Sequence, residues 1–281
     1  MLRNRLQAGA PVWAVGVYDA LSALLAREAG FDTVMTGGFG VTASLLGLPD
    51  HEFLSLTENL GVVSRISAMG GLDVVADIDT GYGSTMGVER AVREFVRAGA
   101  AAVIIEDQVS PKSCPACATA IKLVDVAEAA AKVRAARAAA GTDLVVVART
   151  DAFDPEEAFT RARAYADAGA DLIQPVSKTF SDFAGIRELR QRCGVPLSLQ
   201  LLGWLETDLS RDQVAEVAGL AFFTFTPLLS AAQAVHQNLV QLRADLSTGQ
   251  LPAQRMPLSQ LSDILGFDEW TLRQDRYYQS S

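Results

Sequence analysis

Eight short apolar runs, rich in β-branched residues and separated by alanine-rich amphipathic stretches, constrain this chain more than any other feature. They are VWAVGV (12–17), DTVMTG (32–37), DVVADID (73–79), AAVIIED (101–107), DLVVVARTD (143–151), DLIQPV (171–176), PLSLQL (196–201) and LAFFTF (220–225). A strand that is apolar at nearly every position is buried on both faces, as parallel strands covered by helices are. The stretches between, such as VERAVREFVRAGA and VAEAAAKVRAARAAAG, carry good helix formers at helical spacing. Several end in Gly just before the next run, where a left-handed C-terminal cap fits. Eight β/α units in about 250 residues match the size of a (β/α)8 barrel, with a doubly wound open sheet as the competing architecture. The barrel is expected over 1–248. GQLPAQRMP (249–257) reads as a linker, and one or two short amphipathic helices in 249–281 are expected to pack on the barrel or on a neighbouring subunit.

Composition narrows the function classes. The 281 residues are 49% hydrophobic and 20% charged, with a net charge of −9. That balance suits a soluble globular protein and gives no electrostatic support to nucleic-acid or anionic-membrane partners. No run of about 18 apolar residues suggests a membrane span. The N-terminal stretch, with two arginines and a short apolar run ending at Asp19, reads as the start of the fold rather than a signal peptide. Three cysteines do not make a disulfide framework, so a reducing, cytoplasmic setting is expected.

Barrels of this kind place chemistry at the C-terminal ends of their strands. There the third run ends in Asp77 and Asp79, spaced so that both carboxylates leave one strand on the same side. The fourth ends in Glu106 and Asp107 and the fifth in Arg149 and Asp151, while the loop after the second carries Asp50. Carboxylates gathered at one rim without a nearby histidine favour a hard, oxygen-ligated cation, Mg²⁺ first and Mn²⁺ second. The competing reading makes them helix N-caps. Thr36-Gly37-Gly38 ends the second run with backbone N–H groups open to an anion. Arg149, at the close of LVVVART, either pairs with a rim acid or grips a substrate carboxylate. EDQVSPKSCPACATAIK (106–122) holds Cys114 and Cys117 in a C-x-x-C spacing open to three readings: half a zinc site, a redox pair, or a reactive thiol on a loop.

VYDALSALLAREAGFD, LGLPD, DIDTGYG, AGAAAVIIEDQVSPK and ARTDA, in order between about 14 and 152, resemble the isocitrate lyase and phosphoenolpyruvate mutase superfamily; GFDEW followed by RYY resembles its C-terminal end. The resemblance implies a (β/α)8 barrel, a homotetramer or dimer with a swapped last helix, Mg²⁺ at the strand ends, and cleavage or rearrangement beside the carbonyl carbon of a 2-oxo acid. It implies Asp77 as the direct metal ligand, with Asp79, Asp50 and Glu106 holding the ion largely through water. Thr36, Gly37, Gly38 and Arg149 then bind the substrate carboxylate. In the family's lyases the loop after the fourth strand reads Lys-(Lys/Arg)-Cys-Gly-His; here it reads Lys112-Ser113-Cys114-Pro115-Ala116. Cys114 thereby matches the thiol that protonates the departing carbanion, Lys112 matches the loop lysine, and Cys117 has no counterpart.

The departures are informative. Pro115 and Ala116 replace the loop's Gly and His, and Val34 replaces an aromatic residue. The anchors for a third carboxylate appear as Pro175-Val176, Gln200 and Gly203, beside Leu201, Leu202 and Trp204, which read as an apolar wall. The expected function is a Mg²⁺-dependent carbon–carbon lyase acting on an alkylmalate-like 2-hydroxy acid. The rivals are phosphonopyruvate or carboxyphosphonoenolpyruvate mutase-type phosphorus–carbon chemistry, favoured slightly by Ser177-Lys178, a 2-oxo acid decarboxylase, and a diverged barrel without catalysis.

Overall fold

Each of the eight apolar runs becomes one strand of a closed parallel barrel in the computed structural model, which describes residues 1–279. The strands are β1 (Val12–Val17), β2 (Thr33–Thr36), β3 (Asp73–Asp77), β4 (Ala102–Glu106), β5 (Val145–Thr150), β6 (Leu172–Pro175), β7 (Leu197–Leu201) and β8 (Ala218–Phe223). They pair in chain order, and β1 closes on β8 through Val12 beside Leu220 and Ala14 beside Phe222. The two faces of every strand serve different cores. Val12, Ala14, Met35, Ile104, Val147 and Phe222 fill the barrel interior. Val15, Val34, Val103, Val146, Leu199 and Leu201 point outward into the layer under the helices.

The N-terminal end of the barrel is plugged by the first helix, Leu2–Gln7. Leu2 joins the interior cluster, and the two early arginines are ion-paired there. Arg3 forks onto Asp171 at 2.8 Å through both nitrogens, and Arg5 reaches Asp32 at 2.6 Å and Thr33 Oγ1 at 2.8 Å. The opposite end, where the strands finish, is left for chemistry.

Helix capping separates the rim acids from ordinary capping work. Asp19, Ser55, Asp154, Asp182 and Ser210 cap their helices with side-chain hydrogen bonds. The helices after β3 and β4 begin at Ser84 and Asp125, so Asp77, Asp79 and Glu106 cap neither of them.

The chain divides into two compact units, Met1–Pro227 and a second from Leu228 onward. The second holds most of helix Thr226–Asp245, which buries no residue, then helices Leu258–Leu265 and Phe267–Gln279. Asn238 ties the connecting segment to the long helix, donating from Nδ2 to Ala253 O at 3.0 Å and accepting from Ala253 N at 2.9 Å. Its apolar side chains are largely uncovered, among them Val235, Leu239, Phe267, Trp270, Leu272 and Tyr277. Among the described residues no helix is long and apolar enough to cross a membrane.

Barrel closure has one position without slack. Gly16, the inward position above Ala14, lies where the backbone leaving β8 crosses, and a Cβ there would stand 2.0 Å from Thr224 O. Backbone cannot step aside as a side-chain tip can. Gly16→Ala is expected to destabilise the protein by about 2–3 kcal/mol, read as a lower urea midpoint at unchanged slope.

Candidate active site

Six charged side chains converge where β3, β4 and β5 end. Asp77 and Glu106 are the last residues of their strands, and Arg149 is register-paired with Glu106. Asp79 lies beyond the strand in left-handed backbone, φ 50°, so it reaches the same space by a turn and not by strand alternation. Asp50 arrives from the loop after helix Gly38–Leu46, and Lys112 from the loop after β4. The Lys112 ammonium sits among the acids: Nζ is 2.6 Å from Asp79 Oδ1, 3.2 Å from Asp50 Oδ1 and 3.5 Å from Glu106 Oε1. Its side chain is 1% exposed. Arg149 forks onto Asp151, Nε to Oδ1 at 2.7 Å and a terminal nitrogen to Oδ2 at 3.0 Å, while its other terminal nitrogen stands 2.9 Å from Glu106 Oε2. The geometry therefore contains the pairing role for Arg149, with Asp77 within 4.0 Å of the same nitrogen.

Charge at this spot does not balance. Asp50, Asp77, Asp79, Glu106 and Asp151 face only two cations, Lys112 and Arg149, and all seven groups are buried. Burial penalises each charged carboxylate, and at an effective dielectric near 20 two unit charges 4 Å apart exchange about 4 kcal/mol. Desolvation pushes Asp79 up to about 7 against the opposing pull of Lys112, with Asp77 and Asp50 adding to the rise. Glu106 is raised well above the usual carboxylate range by burial, Arg149 and Lys112 opposing. The acids hold Lys112 well above its ordinary value despite its own desolvation. Burial thus favours the protonated forms of Asp79 and Glu106 where positive charge falls short.

The glycines let other groups approach. A Cβ on Gly38 would stand 2.9 Å from Asp79 Oδ1, 3.1 Å from Lys112 Nζ and 3.2 Å from Asp50 Oδ1, so the acid cluster closes only over a glycine. Gly38 N donates to Asp77 Oδ2 at 3.4 Å from the first turn of helix Gly38–Leu46, whose positive end faces the cluster. Thr36 shares the outward parity of Val34, and its hydroxyl is buried without a hydrogen-bond partner. Its backbone, not its hydroxyl, is the part turned to the mouth.

The loop after β4 is held by residues that motif reading passes over. Glu52 accepts from Ser110 Oγ at 2.7 Å and Lys112 N at 3.1 Å, and also from Thr80 Oγ1. Gln108 accepts from Ser113 N at 2.8 Å, donates to Ser113 O at 2.9 Å and donates to Asp151. Cys114 is half-buried and Cys117 exposed, in a turn where Cys117 N donates to Cys114 O at 3.1 Å. Burial pushes the Cys114 thiol above its ordinary value. Asn59, also unforeseen, donates to Asp77 O and to the Tyr82 hydroxyl, both at 2.8 Å.

One sequence expectation is corrected. Leu201 was read as part of an apolar pocket wall, but it faces outward into the layer under the helices and borders an outer recess with Trp13 and Phe223. The inward positions of β6 and β7 near the mouth are Gln174, which accepts from Ser198 Oγ at 2.9 Å, and Gln200. The leucines of β7, at 197, 199 and 201, alternate with Ser198 and Gln200, and it is this polar pair that faces inward.

The family model for phosphoenolpyruvate phosphomutase matches residues 2–243. The chain belongs to that family. It is 42% identical over 180 residues to an isocitrate lyase of Haloferax volcanii, covering 62% of this chain and spanning about half (52%) of that relative's length. It is 31% identical over 277 residues to a 2,3-dimethylmalate lyase of Eubacterium barkeri, covering 95% and 94% of the two chains. A solved phosphoenolpyruvate phosphomutase from Streptomyces platensis subsp. rosaceus superposes with a TM-score of 0.91 at 32% identity, over 99% and 98% of the chains. A phosphonopyruvate hydrolase complexed with oxalate and Mg²⁺ superposes at 0.87 with 28% identity, over 99% and 98%. The chain is an enzyme of the isocitrate lyase and phosphoenolpyruvate mutase superfamily, on the expected barrel.

Do the residues of this family member fit a divalent cation? Among the described residues no three acidic, histidine or cysteine side chains stand as a ready ligand set, because the cation they surround is Lys112. The donors are nonetheless all oxygens, as a hard ion requires. Asp79 Oδ1 and both oxygens of Glu106 are buried without a hydrogen bond of acceptable geometry, held by charge alone. Excess carboxylate, orphaned oxygens and the missing Cβ of Gly38 together fit a small divalent cation.

The thiols offer a check on this geometry. A group whose folded pKa is raised stays protonated at neutral pH, so Cys114 should alkylate slowly and its rate should still climb above pH about 9. Exposed Cys117 should label first with iodoacetamide at pH about 7.5, and Cys193, buried and also raised by burial, last; peptide mass mapping reads the order.

Proposed function

We propose that this enzyme is a divalent-cation-dependent carbon–carbon lyase that splits an alkylmalate-like 2-hydroxy acid into a 2-oxo acid and a second carboxylate. One observation carries the reading: a buried cluster with more carboxylates than cations, beside a loop that presents a protonated, half-buried thiol. Similarity to 2,3-dimethylmalate lyase along nearly the whole chain supports it.

Asp77, with Asp79, Asp50 and Glu106 around it, would hold the cation, which when bound supplies positive charge to the oxygen on C2 as the carbonyl forms. The Gly38 N–H at the helix N-terminus and the Arg149 guanidinium orient the substrate carboxylate, keeping C2 over the acids. As the C2 hydroxyl gives its proton to an ionised carboxylate of the cluster, the C2–O bond becomes a carbonyl, the C2–C3 bond breaks and its electron pair passes to C3, beside the second carboxylate. Cys114 then gives its proton to C3. Burial raises the thiol, so the donor form prevails at neutral pH. Apolar material at the rim, Phe39 packed on Phe225 with ring centres 5.0 Å apart and half-buried Leu202 and Trp204, suits an alkyl substituent and not a third carboxylate.

Cys114→Ser should lower kcat for 2-oxo acid release from 2,3-dialkylmalates by about 100-fold or more, the usual weight of a positioned proton donor. EDTA should abolish wild-type turnover, and Mg²⁺ or Mn²⁺ should restore it. Unchanged turnover in the Ser variant removes the thiol from the mechanism.

The likeness to phosphoenolpyruvate phosphomutase keeps phosphorus–carbon chemistry as the second reading. Lys178, whose Nζ donates to Ala118 O on the loop at 2.7 Å, is an added cation that would serve it. Conversion of phosphonopyruvate followed by phosphorus NMR decides between the two.

The enzyme is further proposed to be a homo-oligomer. The second unit leaves a row of apolar side chains in water, and the barrel carries an apolar recess of about 460 Å³ lined by Trp13, Phe31, Leu205, Leu209, Val214 and Phe223. Exposed apolar surface of this extent marks interaction sites. Light scattering should give two or four times the mass of one chain, and Trp270→Lys should shift it toward one.

A further inference from the structure

We propose that Glu52 is a positioning residue: its carboxylate latches the loop after β4 over the acid cluster and so seats the Lys112 ammonium there as the site's own counter-ion. The inference rests on the cation-dependent reading of the site and adds a residue that this reading does not include.

Three observations carry it. Glu52 lies in left-handed backbone, φ 61°, a region that favours glycine and that a long side chain occupies only when its surroundings hold it. What holds it is its carboxylate, which joins two loops: Oε1 accepts from Thr80 Oγ1 beyond β3, and Oε2 accepts from Ser110 Oγ at 2.7 Å and Lys112 N at 3.1 Å beyond β4. A further contact, the His51 ring 3.4 Å from Lys112 O, falls on the same residue from the same segment. Finally, the backbone so gripped is that of the lysine whose Nζ reaches Asp79, Asp50 and Glu106.

The consequence is a competition. Lys112 and a divalent cation seek the same carboxylates, and the strength of the latch sets how firmly the lysine holds its place. Weakening the latch frees the loop, lets the ammonium leave at lower cost and tightens the metal.

Glu52→Gly tests this without endangering the fold, because glycine is the residue that φ 61° favours; Glu52→Gln keeps the shape with one acceptor oxygen instead of two. Hydrogen exchange followed by mass spectrometry on the metal-free enzyme should show peptides across 107–122 exchanging at least about tenfold faster in the Gly variant, an intermediate rate in the Gln variant and unchanged rates in barrel strands. Mn²⁺ affinity read by electron paramagnetic resonance should tighten about tenfold in Glu52→Gly and in Lys112→Met alike. Exchange in 107–122 equal to wild type overturns the latch, and Mn²⁺ binding that does not tighten in Lys112→Met overturns the lysine as competitor. Neither measurement uses a substrate, so both stand apart from failure of the lyase assay; wild-type enzyme that takes up no Mn²⁺ overturns the counter-ion half together with the cation reading beneath it, while the exchange result still judges the latch.

Discussion

The Lys112 ammonium among buried carboxylates is the interaction on which the rest of this structure depends. Removing one partner from a buried, hydrogen-bonded charge pair costs about 3–5 kcal/mol, because the survivor keeps its burial and loses its compensation. Here the survivors would be Asp50, Asp79 and Glu106, the last two with oxygens already buried without a hydrogen bond. A cation on a flexible side chain reaches in from the loop and offsets part of the carboxylate charge buried at this end of the barrel. That same shortage of positive charge is what a divalent cation would exploit, so the feature that burdens the fold is the one that the proposed chemistry would use.

Behind the cluster a second ring of contacts fixes the acids in place. Asp107, the neighbour of Glu106 on the outward face, accepts from Tyr165 Oη at 2.8 Å, from Arg161 at 3.2 Å and from Asp151 N at 2.9 Å. Asp151 in turn holds the Nε edge of Arg149 with both of its carboxylate oxygens. The inward residues would therefore carry the charge that meets a ligand, while Asp107, on the outward face, steadies Asp151 through its backbone N–H. Strand alternation makes that division of labour possible at adjacent positions.

Much of this was legible in the sequence, for identifiable reasons. Strands buried on both faces must be apolar throughout, so all eight runs stood out, and seven of the observed strands fall inside the runs that marked them; β8 alone begins two residues before its run, at Ala218. Rim acids were legible because strand ends are where a barrel tolerates them. What stayed hidden depends on direction rather than identity. In β7 the alternation of Leu197, Leu199 and Leu201 with Ser198 and Gln200 marks two faces without saying which one turns inward, and so Leu201 was assigned to the wrong side. Asp79 was read as a strand residue because a left-handed turn leaves no mark in Ile78-Asp79-Thr80. Glu52 carried no motif at all; its importance lies in a backbone angle and in partners up to 60 residues away. Lys112 was named for its place in a loop motif, but its seat inside the acid cluster follows from loop closure, which no spacing encodes.

The loop also shows how one segment can carry two duties without setting them against each other. Lys112 and Cys114 are two residues apart, so moving the backbone to release the ammonium would carry the thiol away from the site. Glu52 grips the Lys112 backbone N–H while the acid cluster holds the ammonium. Four side-chain carbons separate that backbone from the charge, so with the latch closed the ammonium can withdraw only by rotamer changes, the costlier route that loosening the latch would relieve. The loop backbone, pinned further by the Gln108–Ser113 pair of hydrogen bonds, can stay where it is while the cation at the cluster is exchanged. Pro115 stiffens the turn immediately after Cys114, limiting the thiol's wandering in the same way. A loop built like this would separate the position of the proposed proton donor from the identity of the cation beneath it, as the proposed reaction, which uses both, requires.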